Sequence, residues 1–593
     1  MNAAFFRSLN SKIVLPVIKE LPVILVFFFL IKANLMEFFQ DNDYDSVWDY
    51  VSVFSIWFLY AYIIAAIICI SKRTWVRWLW YILLLSIYAV SCFLATNFEM
   101  KIGPTLITLL VETNKREAGE FMSVYFLTAA SIKVYIKVAI YIALIFLVEL
   151  GYRKYCLERI KRFRSVYASI LIIFLLFAGI IRWSHYSDYF NFNKPDDEDA
   201  LEYPASDIYT RLFCSLCIES KQSSVVERAI DVSLNAGKAT TVYEKGDSLN
   251  VIFVIGESFI KSHASLYGYP LVTTPNLQLQ KENGNLFAFT DVITPYNYTS
   301  MSVKNMMSCN SLRESEKWFN CPYFPVLFKK AGYNVYFWSN QHETTDGTVY
   351  EYALNSYLYH QKFSDSIYEK TNSKPSEYDG QLFDDFKQSC IDSLKSPNNL
   401  FLFHLSGQHM VFTMRFPQTE EHKRFTIKDI QNNHSYIDEK KLQYIADYDN
   451  AILYGDYVLA EMMKSFADWN AVLVFLSDHG EEVYDYRNRM GRSYTDKIDS
   501  LYLKYQYEIP FVIWCSDRFK SNYPDVVNNI QEAVAKPFMI DDVCQLLFHL
   551  GGIQSDYYHP ERDVLSKEYV PKERIIRGGE INYDGYFKKS VIN

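Results

Sequence analysis

The chain has 593 residues, of which 50% are hydrophobic and 17% aromatic, and its formal net charge at pH 7 is −9. A chain of this length is too long for one compact core, so we expect two or more domains. The acidic balance, without a basic stripe in the C-terminal half, argues against a nucleic-acid partner. Long apolar runs fill the first 183 residues, whereas the remainder is typical of a water-soluble domain.

The N-terminal part contains five apolar stretches that, with their flanking residues, are long enough to cross a bilayer. They are 15–36, 51–70, 75–96, 134–151 and 165–183. Lys and Arg precede the first stretch and occur in the turn after the second and the loop after the fourth, but not in the acidic loop after the first. Because cytoplasmic loops are enriched in Lys and Arg, five spans place the N terminus in the cytoplasm and the chain after residue 183 outside.

The segment between the third and fourth stretches is too polar to cross a bilayer. Residues 102–111 are apolar and helix-like, and Thr113, Glu117 and Glu120 follow at i, i+4 and i+7, on one face of a predicted helix. This pattern fits an amphipathic helix on the outer membrane surface, facing lipid and the soluble domain. It fits a simple interfacial connector equally well.

The C-terminal part alternates predicted strands with helices. The strands are 249–255, 287–293, 333–338, 400–404, 471–476 and 510–514, and helix-like stretches include 322–331 and 448–466. Such alternation predicts an α/β sandwich with a largely parallel sheet, in which functional residues gather at the carboxyl ends of strands. We therefore predict a transmembrane domain with five helices (1–183), a linker (184–248) and a catalytic domain (249–593).

Polar side chains follow three of these runs. Glu257 ends the first strand, Asp478 and His479 follow the strand at 471–476, and Thr299 and Ser300 precede a helical stretch. Two carboxylates and an imidazole directed at one point make a zinc site. A hydroxyl beside that metal becomes a nucleophile for phosphorus, and a following helix N terminus favours a phosphoryl group. A carboxylate after a strand is often only a helix cap, so it is the combination that predicts the site.

Five motifs in this order resemble the phosphoethanolamine transferases of Gram-negative bacteria, membrane members of the alkaline phosphatase/sulfatase superfamily. The motifs include V-I-G-E-S-F, Y-T-S-M-S, H-L-S-G-Q-H and L-S-D-H-G-E-E, and they lie within 254–276, 298–309, 404–409, 448–456 and 476–482. The resemblance covers nearly the whole chain. It implies a five-helix domain in the bacterial inner membrane and an alkaline-phosphatase/sulfatase-like α/β/α sandwich in the periplasm.

The resemblance also implies roles for particular residues. Thr299 corresponds to the threonine nucleophile beside the main zinc ion, which carries phosphoethanolamine in a covalent intermediate. His409 corresponds to a histidine near the substrate phosphate or a second metal. The zinc ligands correspond to Glu257, Asp478 and His479.

The donor contacts are implied in the same way. Thr113 and Glu117 fall where the family contacts the ethanolamine end of the donor, and a carboxylate there suits an ammonium group. The family often has a further histidine after the D-H-G motif, but this chain has none between His479 and His549. We expect Arg492 or Lys497 to replace it.

The implied reaction takes phosphoethanolamine from phosphatidylethanolamine to lipid A or another envelope glycan. Such a product carries less negative charge and attracts cationic peptides such as polymyxins less strongly. A phosphoglycerol transferase or a hydrolase of the same superfamily is an alternative, although glycerol offers no cation for Glu117. A non-catalytic envelope protein is a further alternative. A sulfatase activity is disfavoured, because no Cys-x-Pro-x-Arg motif replaces the Thr299 region.

Overall fold

The protein divides into two units in the computed structural model. One unit comprises Met1–Gln222 with Ser493–Thr495, and the other Ser223–Arg492 with Asp496–Asn593. The division falls inside the segment 184–248, and the predicted domain bounds stay a prediction. The described residues are 15–31, 47–71, 73–113, 115–156, 172–181, 207–219, 222–243, 248–313, 317–341, 358, 360–390, 398–431, 434–495 and 498–590.

The regular secondary structure in the described part of the first unit is helical. Two of its described helical stretches, Thr74–Phe98 and Ala129–Tyr152, are long and apolar enough to span a membrane. Shorter apolar helices lie in the other predicted stretches, so the count of five spans stays a prediction. The helices are α1 (Leu15–Leu30), α2 (Val47–Ile70), α3 (Thr74–Phe98), α4 (Pro104–Glu112), α5 (Lys115–Tyr125), α6 (Ala129–Leu147, continued by a π-helical segment Val148–Cys156), α7 (Ile172–Ile181) and α8 (Ile208–Glu219).

A buried ion pair joins two of these helices. Arg77 on α3 donates from Nη2 to Glu149 Oε2 (2.9 Å), and the Tyr81 hydroxyl donates to the other carboxylate oxygen (2.6 Å). Charges are costly in apolar surroundings unless they are paired. The pair therefore fixes α3 against the π-helical segment that follows α6.

The structure corrects the predicted helix through Thr113. The helix α4 ends at Glu112, and Thr113 takes an extended conformation (φ −69°, ψ 118°) in which its Oγ1 donates to the Leu109 carbonyl at 2.5 Å. A side chain that satisfies a terminal carbonyl stabilises a helix end. A new helix begins at Lys115, so Thr113 does not share a helix with Glu117 and Glu120.

The second unit is built around a seven-stranded sheet in the order β3-β9-β8-β2-β7-β5-β6, as predicted for an α/β domain. The central strands β8, β2, β7 and β5 are parallel, and β9 runs against them. The strands are β1 (Ala239–Thr241), β2 (Asn250–Gly256), β3 (Leu286–Ala288), β4 (Val292–Ile293), β5 (Asn334–Ser339), β6 (Tyr368–Thr371), β7 (Asn399–His404), β8 (Ala471–Ser477), β9 (Phe511–Cys515), β10 (Phe538–Met539), β11 (Ile553–Ser555), β12 (Ile575–Ile576) and β13 (Ile581–Asn582).

Helices cover both faces of this sheet, so its central strands are buried on both sides. Every residue of β2 and β8 is buried. Along β2, Val251 and Phe253 pack into one apolar cluster and Ile252 and Val254 into the other. The helices are α9 (Gln222–Leu234), α10 (Pro275–Glu282), α11 (Thr299–Met307), α12 (Phe324–Lys330), α13 (Gln361–Ser366), α14 (Asp379–Cys390), α15 (Glu439–Ser465), α16 (Ser500–Tyr507), α17 (Asp517–Asn522), α18 (Pro524–Ala533), α19 (Val543–Gly551) and α20 (Tyr583–Ser590).

One predicted strand is wrong. The run 287–293 is two short strands: β3 pairs with β9 in the main sheet, whereas β4 pairs with β10 in a separate pair. Between them, the Thr290 amide donates to the Val534 carbonyl (2.9 Å) and Asp291 pairs with Arg574 (2.6 Å). These contacts lead the chain out of the main sheet towards the Thr299 helix.

Candidate functional site

Two neighbouring strands end at one point on the carboxyl edge of the sheet. Gly256 of β2 pairs with Ser477 of β8, so the residues that follow them are adjacent. Ligand atoms of Glu257, Asp478 and His479 lie within 4.8 Å of one another, and all three side chains are fully buried. The structure thus brings together the three residues that the sequence analysis selects as metal ligands.

The backbone after Glu257 turns sharply to aim its carboxylate at this point. Ser258 has a left-handed φ of 58°, which is uncommon for a residue with a Cβ. The Tyr448 hydroxyl donates to the Ser258 carbonyl (2.7 Å) and accepts from the Ile260 amide (2.8 Å). The Ser258 hydroxyl then donates to Glu257 Oε1 at 2.8 Å. These bonds stabilise the strained turn and the orientation of the carboxylate.

The His479 ring presents Nε2 to the cluster. Its Nδ1 lies 2.7 Å from the Gly480 carbonyl, which only accepts, so Nδ1 carries the proton. Nε2 then carries the lone pair, and it lies 3.2 Å from Glu257 Oε1 and 3.3 Å from Asp478 Oδ2. Burial and the charge of Arg492 lower the pKa of His479 and keep the ring neutral. A neutral, oriented imidazole is the form that binds metal.

The two buried carboxylates of the cluster oppose each other's ionisation. Burial and the Glu257 carboxylate raise the pKa of Asp478 well above its usual range. Burial alone would raise the pKa of Glu257 too, but its contact with His479 and the nearby His409 and Arg492 outweigh burial and lower that pKa. Two carboxylates that compete for charge in a dry site are stabilised by a cation.

A divalent metal ion fits these residues. The buried Asp478 Oδ2 accepts no hydrogen bond from any residue that the structure describes, although buried polar atoms are nearly always paired. One imidazole and two carboxylates are ligands that zinc takes in catalytic sites, with a position left for a hydroxyl or substrate. Glu257, Asp478 and His479 would hold such an ion.

Thr299 contributes that hydroxyl. It is the first residue of α11, and its Oγ1 lies 3.0 Å from Glu257 Oε2 and 3.2 Å from His479 Nε2. The first amides of a helix point outward and favour a negatively charged group. Ser300, the rival nucleophile, is buried on the same helix. The contacts with the cluster favour Thr299.

His409 lies on the loop after β7, close enough for its charge to lower the pKa of Glu257. Asp379 fixes this loop by accepting hydrogen bonds from the Ser406 amide (2.8 Å) and the Gly407 amide (2.9 Å). Gly407 has a φ of 47°, and a Cβ there would lie 2.7 Å from the Glu257 amide nitrogen. Only glycine lets the loop approach the backbone of Glu257 this closely.

Arg492, one of the two candidates to replace the missing histidine, lies at the cluster. Its Nη1 donates to His479 Nε2 at 2.9 Å, and its Nε lies 3.8 Å from Glu481 Oε2. Lys497, the alternative replacement, lies outside the described residues. Thr113 belongs to the other unit, and the side chain of Glu117 lies outside the described part, so their donor-binding roles stay predictions.

Sequence reasoning missed two contributors. Gln341, two residues after β5, donates from Nε2 to Glu257 Oε2 (3.3 Å) and to the Leu405 carbonyl (2.9 Å). Glu481 is buried, and burial raises its pKa to about 7. Gln341 could have been predicted, because functional residues gather after the carboxyl ends of parallel strands and the run 333–338 is a predicted strand. Glu481 lies in the motif L-S-D-H-G-E-E, but the sequence alone does not show which of Glu481 and Glu482 faces the site.

Two family models match this chain. The sulfatase model matches residues 249–552, more than half of the chain, and the model for phosphoethanolamine transferases EptA and EptB matches residues 59–199. This chain belongs to the sulfatase family and, within it, to the phosphoethanolamine transferases. The second match lies in the N-terminal part of the chain, before the sulfatase match begins.

Curated relatives of this transferase family differ in how much of the chain they match. Phosphoethanolamine transferase EptC of Escherichia coli (strain K12) is 27% identical over 513 residues, which cover 82% of each chain. Kdo(2)-lipid A phosphoethanolamine 7''-transferase of Salmonella typhimurium is 25% identical over 289 residues, or 48% of this chain and 47% of that one.

Solved structures from the same family share the fold. The periplasmic domain of EptC from Escherichia coli is 27% identical, with a TM-score of 0.50 over 59% of this chain and 97% of that one. The integral membrane protein EptA of Neisseria meningitidis is 17% identical, with a TM-score of 0.60 over 93% and 98%. The second likeness extends the shared fold to nearly the whole chain.

We expect the protein to bind about one zinc ion tightly through its three clustered ligands. Glu257→Gln should lower zinc affinity by at least about 100-fold, because it removes both a ligand and the charge that offsets the cation. Competition with a fluorescent chelator measures the affinity. The matched control is Glu508→Gln, whose carboxylate instead pairs with Lys261 at 3.5 Å. Equal losses in both variants would contradict the assignment.

Gly407→Ala should destabilise the second unit by about 3 kcal/mol, through left-handed strain and a backbone clash. Gly284→Ala is the matched control, because Gly284 also has a positive φ (71°) but no atom within 4 Å of the position that a Cβ would occupy. It should cost only about 1 kcal/mol. Urea titrations followed by tryptophan fluorescence give both values, and a Gly407→Ala cost no larger than the control would exclude the close approach.

Proposed function

We propose that this protein transfers phosphoethanolamine from phosphatidylethanolamine to lipid A or another cell-envelope glycan, through a covalent intermediate on Thr299. The observation that carries the proposal is the contact of Thr299 Oγ1 with Glu257 and His479 at the N terminus of α11. A hydroxyl in this position combines an acceptor for its proton with amides that favour a phosphoryl group. The relatives named as phosphoethanolamine transferases support the same reaction.

In the first half-reaction, Thr299 Oγ1 attacks the phosphorus of the donor headgroup. The Oγ1–P bond forms and the bond from phosphorus to the diacylglycerol oxygen breaks. Glu257 Oε2, 3.0 Å from Oγ1, is placed to accept the threonine proton. Zinc bound at this site would lower the pKa of a neighbouring hydroxyl and offset developing negative charge.

The leaving and accepting groups need a proton donor and acceptor on the other side of phosphorus. His409 on the β7 loop is our candidate for protonating the diacylglycerol oxygen. In the second half-reaction, an acceptor hydroxyl or phosphate oxygen attacks phosphorus, and the P–Oγ1 bond breaks. The same histidine would take the acceptor's proton, and Glu257 would return its proton to Oγ1, which regenerates Thr299.

Donor choice is assigned to the N-terminal region. A carboxylate at Glu117 suits the ammonium of ethanolamine, whereas glycerol offers no cation.

The lipid donor also requires a site close to the outer leaflet. We therefore place the N-terminal helices in the inner membrane as a multi-pass anchor and the catalytic domain in the periplasm.

Intact-mass spectrometry tests the covalent route. Wild-type protein incubated with zinc and phosphatidylethanolamine, without acceptor, should gain one phosphoethanolamine group. Thr299→Ala should gain none and should lose at least about 10⁴-fold in turnover, because the nucleophile is removed. Ser300→Ala is the matched control, since it removes the neighbouring hydroxyl of the same helix and should still form the adduct.

Other outcomes would redirect the assignment. An adduct on Thr299→Ala that disappears in Ser300→Ala would move the nucleophile by one residue. Release of free phosphoethanolamine without transfer would indicate a hydrolase of the same superfamily. Activity on phosphatidylglycerol alone would indicate a phosphoglycerol transferase and contradict the role of Glu117. Reaction with neither lipid would favour a non-catalytic envelope protein.

A further inference from the structure

Outside the cluster of Glu257, Asp478 and His479, the buried His263 contacts two carboxylates directly. His263 Nδ1 lies 2.7 Å from Asp449 Oδ1, and Nε2 lies 2.7 Å from Asp485 Oδ1. His263 is 2% exposed, and Asp449 is fully buried on α15. Tyr269 stacks on the imidazole ring at 4.4 Å and donates its hydroxyl to Asp449 Oδ2 at 2.9 Å. The histidine thus bridges two parts of the fold.

Both ring nitrogens of His263 face a carboxylate oxygen. An ionised carboxylate oxygen only accepts, so the bridge between two ionised carboxylates puts a proton on Nδ1 and on Nε2. Burial raises the pKa of Asp449, and the charge of His263 opposes that rise. Burial alone would lower the pKa of His263, but the charges of Asp485 and Asp449 outweigh it and raise that pKa to about 10. His263 is therefore a buried imidazolium that joins two anions across the neutral pH range.

Asp485 belongs to a loop that leads directly back to the site. We call residues 481–491 the site loop. Its two arms are joined by the Tyr484 amide to the Arg489 carbonyl (2.9 Å), by the Gly491 amide to the Glu482 carbonyl (2.9 Å), and by a bridge between Val483 and Met490.

The residue after the site loop is Arg492, whose Nη1 lies 2.9 Å from His479 Nε2. The path from His263 to the metal cluster thus runs through Asp485 and the paired arms of the loop. An arginine at this position acts on a phosphoryl group only if its backbone is held in place.

We propose that His263 is a positioning residue, which holds the site loop through Asp485 so that Arg492 stays directed at the metal cluster. The effect on turnover rests on the proposed transferase function, whereas the hold on the loop does not. His263 itself touches neither Thr299 nor a ligand of the cluster in the contacts that define the bridge. His263 therefore acts on the position of the site loop and not on the reacting atoms.

Charge makes this bridge suited to positioning rather than to general stability. A buried ion triad contributes little net stability, because desolvation offsets most of the attraction. Loss of one partner instead leaves an unpaired buried charge, which forces the segment that carries it to move. The site loop is the end of the bridge that can respond, since Asp449 is held within the 27-residue helix α15. Outside the bridge, the loop is also held by His434 Nε2 at the Asp485 carbonyl (2.8 Å) and by the Tyr436 hydroxyl at the Tyr484 carbonyl (3.2 Å). Asp485 is more exposed than Asp449, so we expect the site loop at Asp485 to shift when His263 is removed.

Hydrogen exchange of the full-length, zinc-loaded protein in detergent tests the hold on the loop. In His263→Gln, amides of residues 482–491 should exchange at least about 10-fold faster than in wild type. Asp485→Asn, which keeps an acceptor oxygen but loses the charge, should show the same direction and guards against misfolding of the first variant. The matched control is His549→Gln, which breaks another His–carboxylate pair, with Asp563 at 2.5 Å. Unchanged loop exchange in both test variants would overturn the proposal.

Turnover in a double-mutant cycle tests the route through Arg492. His263→Gln should lower kcat about 10- to 100-fold with little change in KM, and Arg492→Met should do the same. Combined, the two should cost no more than about 3-fold beyond Arg492→Met alone, because they remove one function. Multiplicative losses would show that His263 acts elsewhere and overturn the route. A wild-type protein without transfer activity would contradict the proposed function, and the exchange experiment would still decide the hold.

Discussion

Glu257 and Asp478 are fully buried carboxylates at the ends of adjacent strands, and the register of those strands forces them together. Gly256 pairs with Ser477 at the carboxyl ends of two central parallel strands, so the backbone positions that carry the two carboxylates are fixed by the sheet. Burial of two anions at one point is unfavourable unless positive potential surrounds them. Positive potential comes from the helix N terminus at Thr299 and from the guanidinium of Arg492.

The backbone around the cluster is correspondingly strained and closely packed. Ser258 occupies the left-handed region, and Gly407 and Gly480 lie where a Cβ would collide with neighbouring backbone, that of Glu257 and Tyr505 respectively. Strain of this kind persists where hydrogen bonds over-determine it. Tyr448 provides two of these bonds, although it comes from α15, a long way along the chain. The carboxylates are therefore oriented by elements that carry no metal ligand themselves.

Much of this site can be predicted from the sequence, and the reason is physical. The residues Glu257, Asp478 and His479 follow apolar runs directly, and parallel strands collect their carboxyl ends at one edge. The sequence predicts a helical stretch after Thr299 and Ser300, and the choice of Thr299 between them rests on the family resemblance alone. The supports cannot be predicted in this way: His263, Asp379 and Tyr448 act through contacts between segments far apart in the chain.

The fold follows the same rule. Central strands, buried on both faces, are continuous apolar runs, and their predicted bounds are nearly correct. The prediction for 287–293 is wrong, because its polar middle, Thr290 and Asp291, pairs with segments more than 200 residues away. Spacing alone places Thr113 on a helix face, whereas its hydroxyl bond to the Leu109 carbonyl ends the helix. Periodicity predicts which face is apolar, but local side-chain bonds decide where an element stops.

The lone pair of His479 Nε2 is the point at which Arg492 and a bound metal ion would compete. In the structure it accepts a hydrogen bond from Arg492 at 2.9 Å, and it is the same lone pair that would bind a metal ion. One lone pair serves one partner, so the two interactions exclude each other. A cation at the cluster would repel the guanidinium, yet Glu481, with Oε2 at 3.8 Å from the Arg492 Nε, attracts it from the other side. Arg492 would then remain beside the cluster with its donors released, which is the arrangement that a phosphoryl oxygen needs.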